Sequence, residues 1–320
     1  MRKSQLVTGG AGAIGSRLVD ALSTTKKDHN IIVLDNLSSG FVENVPKRDN
    51  VKFIQGDITS EDVLKTVFSN RIETVFHLAA NFANQNSVDF PEKDLMVNGF
   101  GTLKLLEYSV ENKISKFIYS SSSCVYGNKS DPLSEDIVDY SLDTPYGITK
   151  LLGERYVTFF NEHYSLPTVI LRYFNSYGPG EYPGKYRNVI PNFFYNAIKG
   201  KPLTITGTGV ETRDFNYVDN AVCGTINASE VEGAVGETFN IGSGKETKIV
   251  EIAEAINCIT NNSSGIKFVE RRNWDSIITR VSSIDKARKI LSYSTQINLE
   301  EGLNKTYKWL KQVDFDKCAF

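Results

Sequence analysis

The sequence predicts an α/β protein built on a doubly wound parallel sheet, with a smaller C-terminal α/β substrate domain interwoven with it. Three observations predict this. An apolar strand at residues 5–8 runs into a glycine-rich loop and then a helical pattern with Leu18, Val19 and Leu22 on one face. Strand-like runs then alternate with helical patterns as far as Tyr173, as βαβ units require. From Phe174 the chain turns rich in Gly, Pro and aromatics and its elements shorten, as in a binding region, yet no linker, repeat or low-complexity tract divides it.

The first loop, Gly9-Gly10-Ala11-Gly12-Ala13-Ile14-Gly15, satisfies both G-x-G-x-x-G and G-x-x-G-x-x-G. Glycine allows the tight turn, lets backbone approach a pyrophosphate and permits close helix–strand packing; the helix N-terminus adds free N–H groups. Strand, loop and helix in this order are a Rossmann-type dinucleotide site. A second strand at 31–34 leads to Asp35, twenty positions after Gly15. A carboxylate there accepts hydrogen bonds from a ribose diol and repels a 2′-phosphate, so NAD is favoured over NADP. No arginine follows it in Asn36-Leu37-Ser38-Ser39-Gly40. After a third strand at 51–55, Asp57 either accepts from an adenine amino group, with Ile58 on the ring, or caps the next helix. A fourth strand at 74–77 is followed by Leu78-Ala79-Ala80, small enough for backbone to run against the cofactor. His77 reads as a satisfied core residue. A long amphipathic helix is expected over 91–112, with Asn98 as a polar tie to the next strand.

The stretch 116–150 carries the chemistry. Phe117, Ile118 and Tyr119 form a buried strand that ends in four serines, Ser120 to Ser123. After a polar loop, Thr144 caps and Pro145 opens a helix running to about residue 164. Tyr146 and Lys150 lie one turn apart on one face of it. An ammonium near a phenol is expected to lower the phenol's pKa from about 10 toward neutrality. A hydroxyl at the strand end can pass the proton, which makes a proton-abstracting site. Further on, strands are expected at 166–173, 203–205 and 237–241, and helices at 191–199, 218–228, 248–259 and 299–313.

Composition excludes several functions. A formal net charge of −2 offers no field for nucleic acid or a membrane surface. No apolar stretch approaches membrane-spanning length, and with the first strand expected to start almost at Met1 no signal peptide is expected. Four cysteines and three histidines are scattered, so no metal site is expected and a reducing cytoplasm is the expected address.

In combination, T-G-G-A-G-A-I-G, Asp35, H-L-A-A, S-S-S-S-C-V-Y-G, Y-G-I-T-K, L-R-Y-F-N-S-Y-G-P and T-R-D-F resemble the extended short-chain dehydrogenase/reductases acting on nucleotide sugars. The likeness looks closest to the UDP-galactose 4-epimerase group and runs from about residue 4 to the end. It implies Ser122, Tyr146 and Lys150 as catalytic residues, with Ser121 and Ser123 flanking the first. It implies NAD along Gly9, Gly12, Ala13, Ile14, Gly15, Asp35, Asn36, Ser38, Gly40, Asp57, Ile58, Leu78, Ala79, Ala80, Asn98, Tyr146, Lys150 and Tyr173. The nucleotide sugar, a UDP-sugar by this likeness, would meet Ser122, Ser123, Tyr146, Asn175, Asn188, Val189, Thr206, Arg213, Arg272 and Asp275. Two arginines on one diphosphate suit the guanidinium fork.

The implied function is an NAD-dependent nucleotide-sugar 4-epimerase, acting on a UDP-hexose or UDP-N-acetylhexosamine by oxidation at C4 and re-reduction on the other face. Alternatives are a 4,6-dehydratase, a keto-sugar reductase and, last, a non-catalytic NAD-binding protein. Ser123 and Cys124 stand where dehydratases carry an Asp-Glu pair, which weighs against elimination. Phe82 replaces a lysine of epimerases, and Thr206 an aromatic that stacks on uracil in some of them. Thr279, seven residues after Arg272, would leave room for an N-acetyl group. Residues 1–175 and 214–242 would form the NAD domain, and 176–213 and 243–320 the sugar-nucleotide domain. The helices at 91–112 and 146–164 would build a homodimer, although their apolar stripes equally suit an intramolecular core.

Overall fold

Strands that are apolar on both faces must be covered on both, and such strands, with one half-exposed edge strand, form one seven-stranded parallel sheet. They are β1 (Ser4–Thr8), β2 (Asn30–Asp35), β3 (Val51–Gln55), β4 (Ile72–His77), β5 (Lys116–Ser122), β6 (Thr168–Tyr173) and β7 (Thr238–Ile241). Their order is β7-β6-β5-β4-β1-β2-β3. The computed structural model describes residues 2–129, 132–272 and 274–318, so the expected limits at residues 1 and 320 lie outside the described residues.

The winding direction reverses between β1 and β4, which opens a crevice at the strands' carboxyl ends. Register aligns those ends. Thr8 stands beside both Leu34 and His77, and Ser122 beside Tyr173. The glycine loop, Asp35, Leu78, Ser122 and Tyr173 therefore leave the sheet at one edge.

Helices cover both faces. On one, α1 (Ala13–Thr25) packs Leu18, Val19 and Leu22 onto Val33 and Val169. On the other, Leu64 and Val67 of α2 (Glu61–Phe68), Leu105 and Leu106 of α3 (Thr102–Glu111) and Val157 of α4 (Pro145–Tyr164) meet Leu6, Ile32 and Phe117. Each such buried aliphatic side chain contributes about 1.5–3 kcal/mol. A separate core joins Ile190 and Phe194 of α5 (Val189–Ile198) to Val218, at the start of α6 (Val218–Glu230). Ile252 and Ile256 of α7 (Ile249–Thr260) and Leu303 complete it.

The expected helix over 91–112 is not uniform. It is helical at Pro91–Asp94, widens into a π-helix at Leu95–Gly101, and resumes as α3. Gly101 marks the crowding, because a Cβ there would stand 2.6 Å from Ile58 Cδ1. Other bounds differ by a few residues, within the fraying of element ends. Two elements carry too little pattern to be anticipated. Ile266–Val269 is a half-exposed strand paired with Leu203–Thr206, and α8 (Asp285–Leu291) buries only Ala287 and Leu291. A last helix, α9, spans Leu299–Leu310. No helix among the described residues is long and apolar enough to cross a membrane.

Candidate active site

The carboxyl edge of the sheet opens into a cavity of about 380 Å³, within the range of ligand pockets. Gly9, Gly12, Ala13, Ile14 and Gly15 line one end. Gly9 has φ +69° and a Cβ on it would fall 2.7 Å from the Ala79 nitrogen, while one on Gly15 would overlap the Gly9 carbonyl. Gly12 precedes α1 without a side-chain cap, which leaves the first helical N–H groups open to an anion. Asp35 accepts from Ala11 N at 3.0 Å and Leu37 N at 2.8 Å, so the carboxylate also pins the glycine loop. Asn36, Ser38, Ile58, Leu78, Ala79 and Ala80 continue this wall.

Asp57 lines the cavity but does not cap α2. Its Oδ1 accepts from Thr59 N at 2.9 Å and Thr59 Oγ1 at 2.7 Å, its Oδ2 from Asn36 Nδ2 at 2.7 Å, and Ser60 takes the cap position. Clearances that exclude a Cβ, an uncapped helix start and an acidic strand end together fit an extended dinucleotide.

Further along stand Ser122, Ser123, Tyr146, Lys150 and Tyr173. Thr144 Oγ1 accepts from Gly147 N at 3.4 Å with Pro145 at the first helical position, so the cap and α4 aim Tyr146 into the cavity. Ser122 Oγ accepts from Cys124 N at 3.2 Å and lies near enough to Tyr146 to favour its ionised form. Lys150 Nζ donates to the Ser120 carbonyl at 2.8 Å and lies 5.8 Å from the centre of the Tyr146 ring. The Phe82 ring meets Tyr146 edge-on at 6.2 Å.

In this protein alone, burial works against the expected phenolate. Burial pushes the Tyr146 phenol up, with Cys124 and Asp94 adding to it and Ser122 opposing. Lys150, rather than lowering its neighbour, is itself pushed down to about 8 by burial, against the pull of Asp94. Desolvation of two buried groups outweighs their mutual effect.

Several residues stand outside the cavity wall. Asn98 is buried, accepting from Asn81 N at 2.8 Å and donating to Asp94 at 2.9 Å and Thr149 at 3.3 Å. It therefore ties the π-helix to the segment after β4 and to α4, not to β5. Gly40 packs its backbone on Ala11, Val189 opens α5 against the second core, and Thr206 pairs with Val269. Thr279 does not face the cavity, whereas Ile277 and Arg280 do. His77 is a satisfied core residue. It bonds Thr8 and Thr102, each at 2.8 Å, and burial pushes it down to about 3.

Asn175, Asn188, Arg213, Arg272 and Asp275 gather at the other end of the cavity. Arg213 donates to the carbonyls of Thr212 at 2.7 Å and Ile277 at 3.2 Å and pairs with Asp275 at 3.5 Å. Burial and the nearby Arg280 hold its pKa below the ordinary value. Arg272 lies over Trp274, whose indole donates to Gln85 at 2.9 Å. Glu181, Trp274 and Arg280 were not singled out by sequence reasoning: Trp274 sits between the chosen Arg272 and Asp275, Glu181 just past the Tyr177-Gly178-Pro179 run, and Arg280 in no motif. Asn188 donates to Glu181 Oε1 at 2.8 Å, and burial pushes the Glu181 carboxyl up to about 7.

Comparison with known proteins agrees with this geometry. The family model described as the NAD dependent epimerase/dehydratase family matches residues 5–242. The structure of an epimerase from the methanogen Methanothermobacter thermautotrophicus is 49% identical, with a TM-score of 0.97 over 100% of this chain and 96% of that one. UDP-glucose 4-epimerase from Thermotoga maritima, solved with UDP-glucose, is 35% identical with a TM-score of 0.91, covering 97% and 99%. A UDP-N-acetyl-α-D-glucosaminuronate decarboxylase of Bacillus cytotoxicus is 32% identical over 99% of this chain and 100% of its own.

Proposed function

The chain belongs to the NAD-dependent epimerase/dehydratase family, and from that membership we propose that it is an isomerase that inverts C4 of a nucleotide sugar. The observation that carries this is the placement of Ser122, Tyr146 and Lys150 in one cavity, between a glycine-lined wall and an arginine-lined one.

In this reading the first helical N–H groups of α1, Asp35 and the Leu78–Ala80 backbone hold NAD. When bound, NAD supplies the two-electron acceptor, and later donor, that C4 needs. Tyr146 would first lose its own proton to solvent, with Lys150 and the positive nicotinamide ring that bound NAD would bring offsetting the penalty of burial; as phenolate it then receives the proton of the 4-hydroxyl with Ser122 as relay. Arg213, Arg272, Asn175 and Asn188 hold the diphosphate while the 4-keto sugar turns and presents its other face. Tyr146 then returns the proton. Binding energy from the remote nucleotide keeps the keto sugar in the site. Ser123 and Cys124 carry no carboxyl group, which disfavours elimination of water by this site.

The sugar nucleotide is read as a UDP-sugar. The division into an NAD domain (1–175, 214–242) and a sugar-nucleotide domain (176–213, 243–320) is retained as a reading, although Phe215, Tyr217 and Val218 pack in the second core and Ile284, Ala287, Leu291 and Tyr293 in the first. Exposed Leu95, Met96 and Phe100 on the π-helix and Ile148 and Phe159 on α4 support a homodimer through these helices. A cytoplasmic address accords with the free cysteines.

The test is proton NMR of purified protein with UDP-sugars and no added nicotinamide. A second anomeric signal with the C4 epimer's couplings, growing to equilibrium, is expected. Turnover only on addition of reduced nicotinamide would replace the reading with a reductase.

A further inference from the structure

The proposed diphosphate grip leaves two arginines of the cavity unused: Arg187, which donates to the Ser39 carbonyl, and Arg280. Arg280 lines the cavity and is 7% exposed. Its Nη2 donates to the Gly127 carbonyl at 2.7 Å and its Nη1 reaches Cys124 Sγ at 3.8 Å. Both contacts lie on the turn directly after Ser122, so the guanidinium is fixed where the catalytic end of the cavity meets Arg213.

The charges around it are distributed unevenly. Asp275 pairs with Arg213 at 3.5 Å and Arg271 at 3.8 Å, and Glu211 with Arg271 at 3.7 Å. Among the described residues no carboxylate forms an ion pair with Arg280. A guanidinium has five N–H donors, and one carbonyl and one thiol leave most of them unused. Burying such a charge without a counter-anion is costly, so an anion is expected to meet it. In the proposed grip the diphosphate meets Arg213 and Arg272. A further anion must come from elsewhere on the ligand, and at this end of the cavity that is the sugar.

We infer that Arg280 receives a carboxylate carried by the sugar, so that the substrate is an acidic nucleotide sugar. This rests on the proposed function for which end of the cavity holds the sugar. Two sugar carboxylates have this chemistry: the C6 carboxyl of a hexuronate and an ether-linked acid on C3. Planar pairing with guanidinium suits both.

The experiment is calorimetric titration of the NAD-loaded protein with two matched pairs. UDP-glucuronate is compared with UDP-glucose, and UDP-N-acetylmuramate with UDP-N-acetylglucosamine. One acidic member is expected to bind at least about tenfold more tightly than its neutral partner, and which one does so identifies the carboxylate. Arg280→Gln is expected to bring that ratio close to one, and Arg280→Lys to keep part of it. Neutral sugars binding as tightly as acidic ones, or a ratio that survives Arg280→Gln, overturns the assignment. If the Gln variant does not fold, the wild-type ratio and the Lys variant decide.

Products are followed separately by NMR. An acidic preference without C4 inversion, including loss of carbon dioxide to a UDP-pentose, sinks the epimerase reading and keeps the carboxylate site. Inversion of neutral sugars with no acidic preference does the reverse.

Discussion

Lys150 Nζ donates to the carbonyl of Ser120 at 2.8 Å while standing 5.8 Å from the centre of the Tyr146 ring. The ammonium is thus tied to the strand that carries Ser122, and strand and helix hold the two catalytic groups in one register. Burial pushes Lys150 down to about 8. The charged form is present below that value and is lost as pH rises through it. If the charge assists Tyr146, kcat should fall on the alkaline side near pH 8, and Lys150→Arg should move that limb upward, because a guanidinium keeps its proton. A flat profile through this range would detach Lys150 from the chemistry.

Tyr146 is the group proposed to move the proton. Tyr146→Phe keeps the ring's packing on Phe82 and removes only the hydroxyl. Turnover is expected to fall by about 10²–10⁴, while NAD released by denaturing the protein stays at the wild-type amount. Near-normal turnover in this variant would remove the tyrosine from the mechanism.

Beneath the site, Arg172 grips Glu154 with Nε to Oε1 at 2.9 Å and Nη2 to Oε2 at 2.8 Å. Both side chains are about 95% buried, and Ser121 Oγ adds a bond to Glu154 at 2.5 Å. Glu154→Gln would leave a buried guanidinium without its charge partner. Urea unfolding should show a loss of about 3–5 kcal/mol. A loss under about 1 kcal/mol would mean that the pair relaxes to water.

How much of this was legible in the chain depends on the kind of signal. The glycine loop, Asp35, the serine-ended strand and the Thr144-Pro145 cap each carry a local pattern, and each lies where that pattern put it. Arg280 carries none, because its meaning depends on partners far away in sequence, at Gly127 and Cys124, and Glu181 carries none because its bond to Asn188, seven residues on, follows no regular spacing. The effect of burial on Tyr146, which opposes the expected phenolate, was hidden for a related reason. Spacing shows that Tyr146 and Lys150 are neighbours, but not that both are desolvated. The π-helix was illegible because the close approach of Ile58 to Gly101 is a tertiary contact.

His77 offers a stability test with a defined sign. Its folded pKa is about 3, below the ordinary value of 6.5, so the unfolded chain binds the extra proton between these limits. Its neutral form therefore contributes fully above 6.5, and that contribution is lost as pH falls from 6.5 toward 3, at up to about 1.4 kcal/mol per pH unit. Denaturant titrations should show a shallower acid limb in His77→Gln than in the wild type. Parallel limbs would mean that the imidazole charges in the folded state.

The proposed inversion requires that C4 lose and regain the same hydrogen within one bound complex. Purified protein given a UDP-sugar deuterated at C4, in ordinary water and without added nicotinamide, tests this most directly. The account predicts a C4 epimer that retains essentially all of its deuterium at C4. An epimer whose C4 deuterium has washed out to solvent would contradict it, as would label recovered at another carbon.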